Sequence, residues 1–193
     1  MSGGGRKNAE TKARRVGFTE DEGAAMLATI DAHGHKHPAD PVIARLAAVS
    51  GCRIGELCGL KVGDVEPMDP KSGDGFWLRI QEGKTDAARR RVPVLDPQAV
   101  VAVREWVEAL PDPEDTEGPL WPTLETDRHG SQSRSLSKRG GRWMQQALAP
   151  REGLVASHSW RHRAKPLMER AKVGAAAQDA FLGHKGPGVG WGT

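Results

Sequence analysis

Apolar residues recur along this chain at intervals that switch between helix and strand. Ala24, Met26, Leu27 and Ile30 follow Thr19 and Glu22, which form a Thr-x-x-Glu capping box, and predict a first helix closing near Gly34. Asp40-Pro41 supplies a cap and a first-turn proline, and Val42, Ile43, Leu46, Ala47 and Val49 predict a strongly apolar core helix ended by Gly51. A short helix is expected from Ile54 to Leu60, with Leu57 and Leu60 facing inward. Phe76, Leu78 and Ile80 then alternate with Trp77, Arg79 and Gln81, while Val92 and Val94 alternate with Arg91 and Pro93. With Glu82-Gly83-Lys84-Thr85-Asp86 between them, residues 76–95 read as a β-hairpin.

Helical spacing returns after Asp96-Pro97, where Val100, Val103, Trp106, Val107 and Leu110 form a core stripe. An acidic, proline-containing loop covers Pro111–Gly118, and Leu120-Trp121-Pro122 is expected to pack back onto the body. A polar linker around Ser131–Ser135, expected to be mobile, precedes a helix from about Leu136 to Leu148. That helix sets Lys138, Arg139 and Arg142 opposite Trp143, Met144 and Leu148. A last helix is expected to be capped by Ser157. The pattern is therefore α+β, mostly α, with a small antiparallel sheet.

Composition narrows this picture. A chain of 193 residues with 37% hydrophobic content fills one core, so one domain of residues 18–193 is expected behind a flexible basic arm of residues 1–17. No apolar run approaches the roughly 20 residues of a membrane span, and the N-terminus lacks the apolar stretch of a signal peptide, so a cytoplasmic protein without membrane contact is expected. Cys52 and Cys58 read as buried free thiols. His33, His35 and His37 lack a nearby carboxylate or Cys and read as an exposed loop; neither a metal nor a cofactor is expected.

The net charge of +3 is segregated rather than spread. Residues 106–127 hold seven Asp or Glu and no Lys or Arg, whereas Arg128, Arg134, Lys138, Arg139, Arg142 and Arg151 follow without an acid. Charge blocks of this kind favour a polyanion on one side of the molecule, the alternative being solvated surface.

Two local arrangements carry chemistry. Arg53 and Glu56 stand at i, i+3 at the start of a short helix between buried segments, so the carboxylate can orient the guanidinium from behind. His158 and Arg161 stand three residues apart on one helix face, which suits the grip of a phosphate: a permanent fork of donors beside a group that can move a proton.

Ser50-Gly51-Cys52-Arg53-Ile54-Gly55-Glu56-Leu57-Cys58-Gly59-Leu60-Lys61-Val62-Gly63-Asp64 resembles the first arginine box of the tyrosine recombinases, the phage-integrase family. His158-Ser159-Trp160-Arg161-His162 resembles that family's His-x-x-Arg-His box, and Phe181-Leu182-Gly183-His184 its Leu-Gly-His element. The resemblance runs from about Phe18 to the end and implies a tyrosine-recombinase-like catalytic domain that cleaves and rejoins DNA through a 3′-phosphotyrosine. It implies Arg53, Lys84, His158, Arg161 and His184 as catalytic residues, with Glu56 and His162 in support. Arg89, Arg91, Lys138, Arg139 and Arg142 are the expected DNA contacts, double-stranded DNA the partner, and a homo-oligomer on DNA the assembly. The chemistry fits, because Arg and His side chains can absorb the charge of a pentavalent phosphorus without a metal, while Lys84 protonates the departing 5′-hydroxyl.

Three departures accompany the match. The family's nucleophilic Tyr falls here on Thr193, and the chain contains no Tyr, which predicts a truncated or inactive recombinase or, alternatively, a non-catalytic DNA-binding remnant or regulator at recombination sites. Pro166 lies five residues beyond Arg161 and predicts a kink or break between Arg163 and Leu167. The separate N-terminal DNA-clamping domain of most family members has no counterpart in the short basic arm. A metal-dependent hydrolase is disfavoured, since no carboxylates accompany His158 and His162.

Overall fold

A computed structural model describes residues 14–69, 71, 73–81 and 89–184. Helix α1 (Glu20–His33) begins with the expected capping box: Thr19 Oγ1 accepts from Glu22 N at 3.2 Å, and Glu22 Oε2 accepts from Thr19 N at 2.8 Å. A 3-10 turn (Gly34–Lys36) leads into α2 (Ala39–Ser50), the core helix, which packs against α1, α4 (Pro97–Glu108), α6 (Ala156–Arg170) and strand β3 (Arg90–Val94). Its start differs from expectation. Pro38, not Asp40, occupies the cap position, and Asp40 is fully buried inside the first turn. A carboxylate there needs a cation, and Arg139 supplies it with Nε at 2.5 Å and Nη2 at 2.8 Å.

Gly51 ends α2 in the left-handed region at φ 59°, with room for no side chain: an added Cβ would stand 2.8 Å from Ala164 and 3.1 Å from Leu182. Helix α3 (Ile54–Cys58) follows at once, shorter than predicted because Gly59 stops it. Trp121, fully buried as expected, donates its indole N–H to the Leu57 carbonyl at 2.6 Å and fixes the end of α3 from below.

The sheet has three antiparallel strands in the order β1 (Val65–Pro67), β2 (Phe76–Ile80), β3. The hairpin β2–β3 matches the prediction, with Leu78 opposite Val92 and Ile80 opposite Arg90; its tip lies outside the described residues. Strand β1 is too short to show alternation and escaped the sequence pattern. Phe76, Leu78, Ile80, Val92 and Val94 form the buried face. Asp96 caps α4 by accepting from Ala99 N at 2.9 Å.

Helix α5 (Gln132–Ala147) begins four residues before the predicted start, so Ser131–Ser135 is not a linker. Ser131 is its cap, accepting from Arg134 N at 3.3 Å, and the first turn is polar because its side chains are at most half-buried, the core-facing positions beginning at Leu136. Helix α6 starts at Ala156, so Ser157 is already helical; the orphan Val155 N–H bonds instead to Ser159 Oγ at 3.0 Å. The helix runs on through Pro166 without the expected break. The proline deprives only the His162 carbonyl of its helical donor, and both residues are exposed, so the loss falls outside the core. Helix α7 (Ala175–Leu182) ends in a Schellman motif, with Gly183 at φ 65° and His184 N bonded to the Asp179 carbonyl at 2.9 Å.

Candidate active site

The end of α2, the start of α3, the N-terminal half of α6 and the end of α7 converge on Arg161. Its Nη1 donates to the Gly51 carbonyl at 2.9 Å and its Nη2 to the Leu182 carbonyl, so one guanidinium ties three chain segments together. Two of its five N–H donors suffice for this, and the others stay available to an anion. Burial, and then the facing Arg53 guanidinium, pull Arg161 down to about 10, still cationic at neutral pH.

Arg53 stands half exposed at the cap of α3. Its Nη1 donates to Glu56 Oε1 at 2.5 Å, as the sequence predicted, and the same carboxylate accepts the Arg53 backbone N–H at 2.7 Å. Behind Glu56 lies a residue with no part in the expected catalytic set. Arg90, buried on β3, donates Nη2 to Glu56 Oε2 at 2.9 Å and Nε to the Phe181 carbonyl at 2.8 Å. Burial pushes the Glu56 carboxyl upward, but the Arg90 bond, the Arg53 backbone bond and the charges of both guanidinia outweigh it and hold the group below the usual carboxylate range. Glu56 is thus a fixed anion between two arginines. The signal for Arg90 was present in the alternation: it shares strand parity with the buried Val92 and Val94, whereas Arg91 points out.

His158 projects from the first turn of α6 beside Arg161. Burial, then Arg15, His162, Arg161 and Arg53, hold its pKa below the ordinary imidazole value. His184, just past the α7 cap, is lowered by burial and by Arg161, partly offset by Asp179, whose Oδ1 lies 3.6 Å from its Nδ1. Arg53, His158, Arg161 and His184 therefore share one electrostatic neighbourhood, as the order of motifs implied. His162 lies one turn along α6, exposed. Lys84 and Thr193 lie outside the described residues.

The expected DNA contacts divide. Arg89, Lys138 and Arg142 are exposed. Arg91 is exposed too, but it is paired with Glu66 at 2.6 Å and lies 5.1 Å over the Trp77 ring. Arg139 is no surface contact: it is 5% exposed and committed to Asp40, because a residue three positions after Leu136 turns toward α2 with it. Among the described residues, no cluster of three or more His, Cys, Asp or Glu could hold a metal, and no helix is long and apolar enough to cross a membrane.

No protein-family model and no curated protein sequence matches the chain. Solved structures do resemble it. XerA recombinase superposes with a TM-score of 0.64 at 17% identity, over 93% of this chain and 58% of that one. The pre-cleavage complex of XerH site-specific recombinase with its difH substrate gives 0.66 at 21%, over 93% and 50%. A lambda integrase dimer bound to a COC′ core site gives 0.62 at 19%, over 94% and 48%. The chain thus spans about half the length of the proteins it resembles. With its helices around a three-stranded antiparallel sheet and both arginines at one junction, it has the fold of a tyrosine recombinase-like catalytic domain.

Proposed function

We propose that this domain grips the DNA backbone at a phosphodiester in the manner of a site-specific recombinase or integrase. The observation that carries the reading is the Arg53–Glu56–Arg90 chain of bonds set beside Arg161. Two arginines flank one buried carboxylate that is already fully used, which leaves the half-exposed Arg53 and the spare donors of Arg161 as uncompensated positive charge where His158 and His184 also converge. A phosphate oxygen is the ligand that complements such a set: charge-assisted hydrogen bonds from fixed donors stabilise the extra negative charge of phosphoryl transfer more than the ground state.

In this reading His158 and His184, neutral at physiological pH, each donate a ring N–H to phosphate oxygens, and Lys84 acts as the general acid for the leaving 5′-oxygen. The 193 residues hold no Tyr, so the covalent step does not belong to this stretch alone. The threonine hydroxyl at Thr193 is a poor replacement, since its alkoxide leaves far less readily than a phenolate. The domain by itself is then a backbone-gripping module, and pairing on DNA with further copies follows from the same reading.

The test uses nicked suicide duplexes that trap a 3′-phosphotyrosine as a band on a denaturing gel. The chain as it stands is expected to bind DNA and give no adduct, while a version extended by the coding sequence beyond Thr193, if that adds a Tyr, gives one. An adduct formed by the 193-residue chain would overturn the assignment of the nucleophile. Loss of all duplex binding in the wild-type chain would overturn the phosphodiester reading.

A further inference from the structure

Residues 14–17 precede Phe18 and the first helix, and they read from composition as the end of a loose arm. They are instead seated on the helix that carries His158 and Arg161. Val16 N donates to the Gly153 carbonyl at 3.1 Å, and Phe18 N reaches the Ser159 carbonyl at 3.3 Å. Phe18 is buried, with its ring edge-on to Trp160 at 4.7 Å between centroids. Gly17 lies directly on α6, where an added Cβ would stand 2.5 Å from Arg163 N and 2.7 Å from the His162 carbonyl carbon. Only glycine allows that approach.

The segment is also clamped from the other side. Arg151 Nη2 donates to the Gly17 carbonyl at 2.8 Å, while Nε and Nη2 of the same guanidinium hold Glu22 at 2.8 and 2.6 Å. Glu22 is the carboxylate of the α1 capping box, so cap, clamp and strap form one connected network. Five contacts on Val16, Gly17 and Phe18 describe a built strap, not a tail in passing.

What the strap delivers is charge. Arg14 and Arg15 are exposed, and Arg15 makes no side-chain hydrogen bond or ion pair among the described residues. Its guanidinium is near enough to depress the ionisation of both His158 and His162. Arg151, Arg91 and Arg90, by contrast, are each paired with a carboxylate, Glu22, Glu66 and Glu56 respectively. An exposed guanidinium with no carboxylate partner among the described residues gains electrostatic energy when an anion arrives.

We propose that Arg15 is a further DNA-contacting residue of this site: the strap holds residue 15 at the helix that carries His158 and His162, so that its exposed guanidinium grips a backbone phosphate next to the one held by Arg53 and Arg161. Resting as it does on the phosphodiester reading of the pocket, this is tested with two readouts. The first is duplex affinity by fluorescence anisotropy across a salt series for the wild type, Arg15→Gln, Arg15→Lys and Arg53→Ala. Arg15→Gln weakens binding and makes the slope of log K on log salt shallower by about 1, as expected for one phosphate contact, while Arg15→Lys keeps the slope. The second is the NMR titration of the His158 and His162 rings in the free protein. Arg15→Gln raises both midpoints, because a neighbouring cation has been removed. If Arg53→Ala weakens binding while Arg15→Gln changes neither affinity nor slope, the strap proposal is wrong and the pocket reading stands. If the wild type binds no duplex, the pocket reading itself fails. Unmoved histidine midpoints in Arg15→Gln would also sink the proposal, whatever the DNA does.

Discussion

Arg90 Nη2 lies 2.9 Å from Glu56 Oε2, and both side chains are almost wholly buried. A buried ion pair is costly to assemble but far more costly to break, since removing one partner leaves a desolvated charge. Arg90→Gln is therefore expected to lose about 3 kcal/mol or more of stability in urea melts, even though Arg53 still reaches the same carboxylate. Because Glu56 is held below the usual carboxylate range, its contribution is present above roughly pH 4 and fades as the pH falls through its folded-state value. Arg90→Gln raises that value, so its acid-unfolding midpoint moves to higher pH; an unchanged midpoint would show that Arg90 does not set the ionisation of Glu56.

DNA binding is expected to take up protons. His158 and His184 both have lowered pKa values, by burial first and by neighbouring cations next, so they are largely neutral at pH 7 in the free protein. A lowered histidine pKa means stability that is complete above the ordinary value of about 6.5 and declines as pH falls through the folded value. A bound phosphate reverses the local field and favours the charged rings. Affinity should then rise between pH 8 and pH 6, with net proton uptake in calorimetry run in buffers of different ionisation enthalpy. Proton release, or none, contradicts the placement of these rings at the phosphate.

Arg139 separates a structural from a DNA-facing role. Arg139→Ala strands Asp40 in the core and is expected to cost about 3–5 kcal/mol. Asp40→Leu combined with Arg139→Met should recover most of that loss, and the double variant should keep the salt dependence of duplex binding. Lys138→Ala and Arg142→Ala, on the exposed face, should do the reverse: unchanged melting and shallower salt slopes.

Gly51 is where three segments meet at positive φ. Gly51→Ala is expected to cost at least about 1 kcal/mol from backbone conformation alone, with more from the crowding against Ala164 and Leu182. The same carbonyl receives Arg161, so duplex affinity measured well below the melting point should fall too. A variant of wild-type stability would mean that the α2–α6–α7 junction is looser than described.

What could be read from the sequence follows the range of the forces involved. Caps, strand parity and helical stripes act over a few residues, which is why Thr19, Asp96 and the β2–β3 hairpin were legible and why Arg53–Glu56 could be paired in advance. Asp40 and Arg139 are 99 positions apart, and nothing local marks either as buried; as a cap candidate and a basic surface residue, each had a plausible local role that tertiary packing overrode. Ser131–Ser135 has no apolar period because the buried positions of α5 begin at Leu136, so its first turn was invisible to a hydrophobic pattern. The docking of residues 14–17 was missed for a related reason: it is made of backbone bonds and a glycine contact to segments more than 130 positions away, which leave no local signature.

The most direct measurement is the affinity and salt slope of Arg53→Ala for duplex DNA, set against the wild type with circular dichroism confirming the fold. Arg53 is half exposed and Glu56 keeps Arg90, so the variant should fold, bind several-fold more weakly and show a slope shallower by about 1. A folded Arg53→Ala protein with wild-type affinity and slope would mean that the arginine pocket does not hold a DNA phosphate.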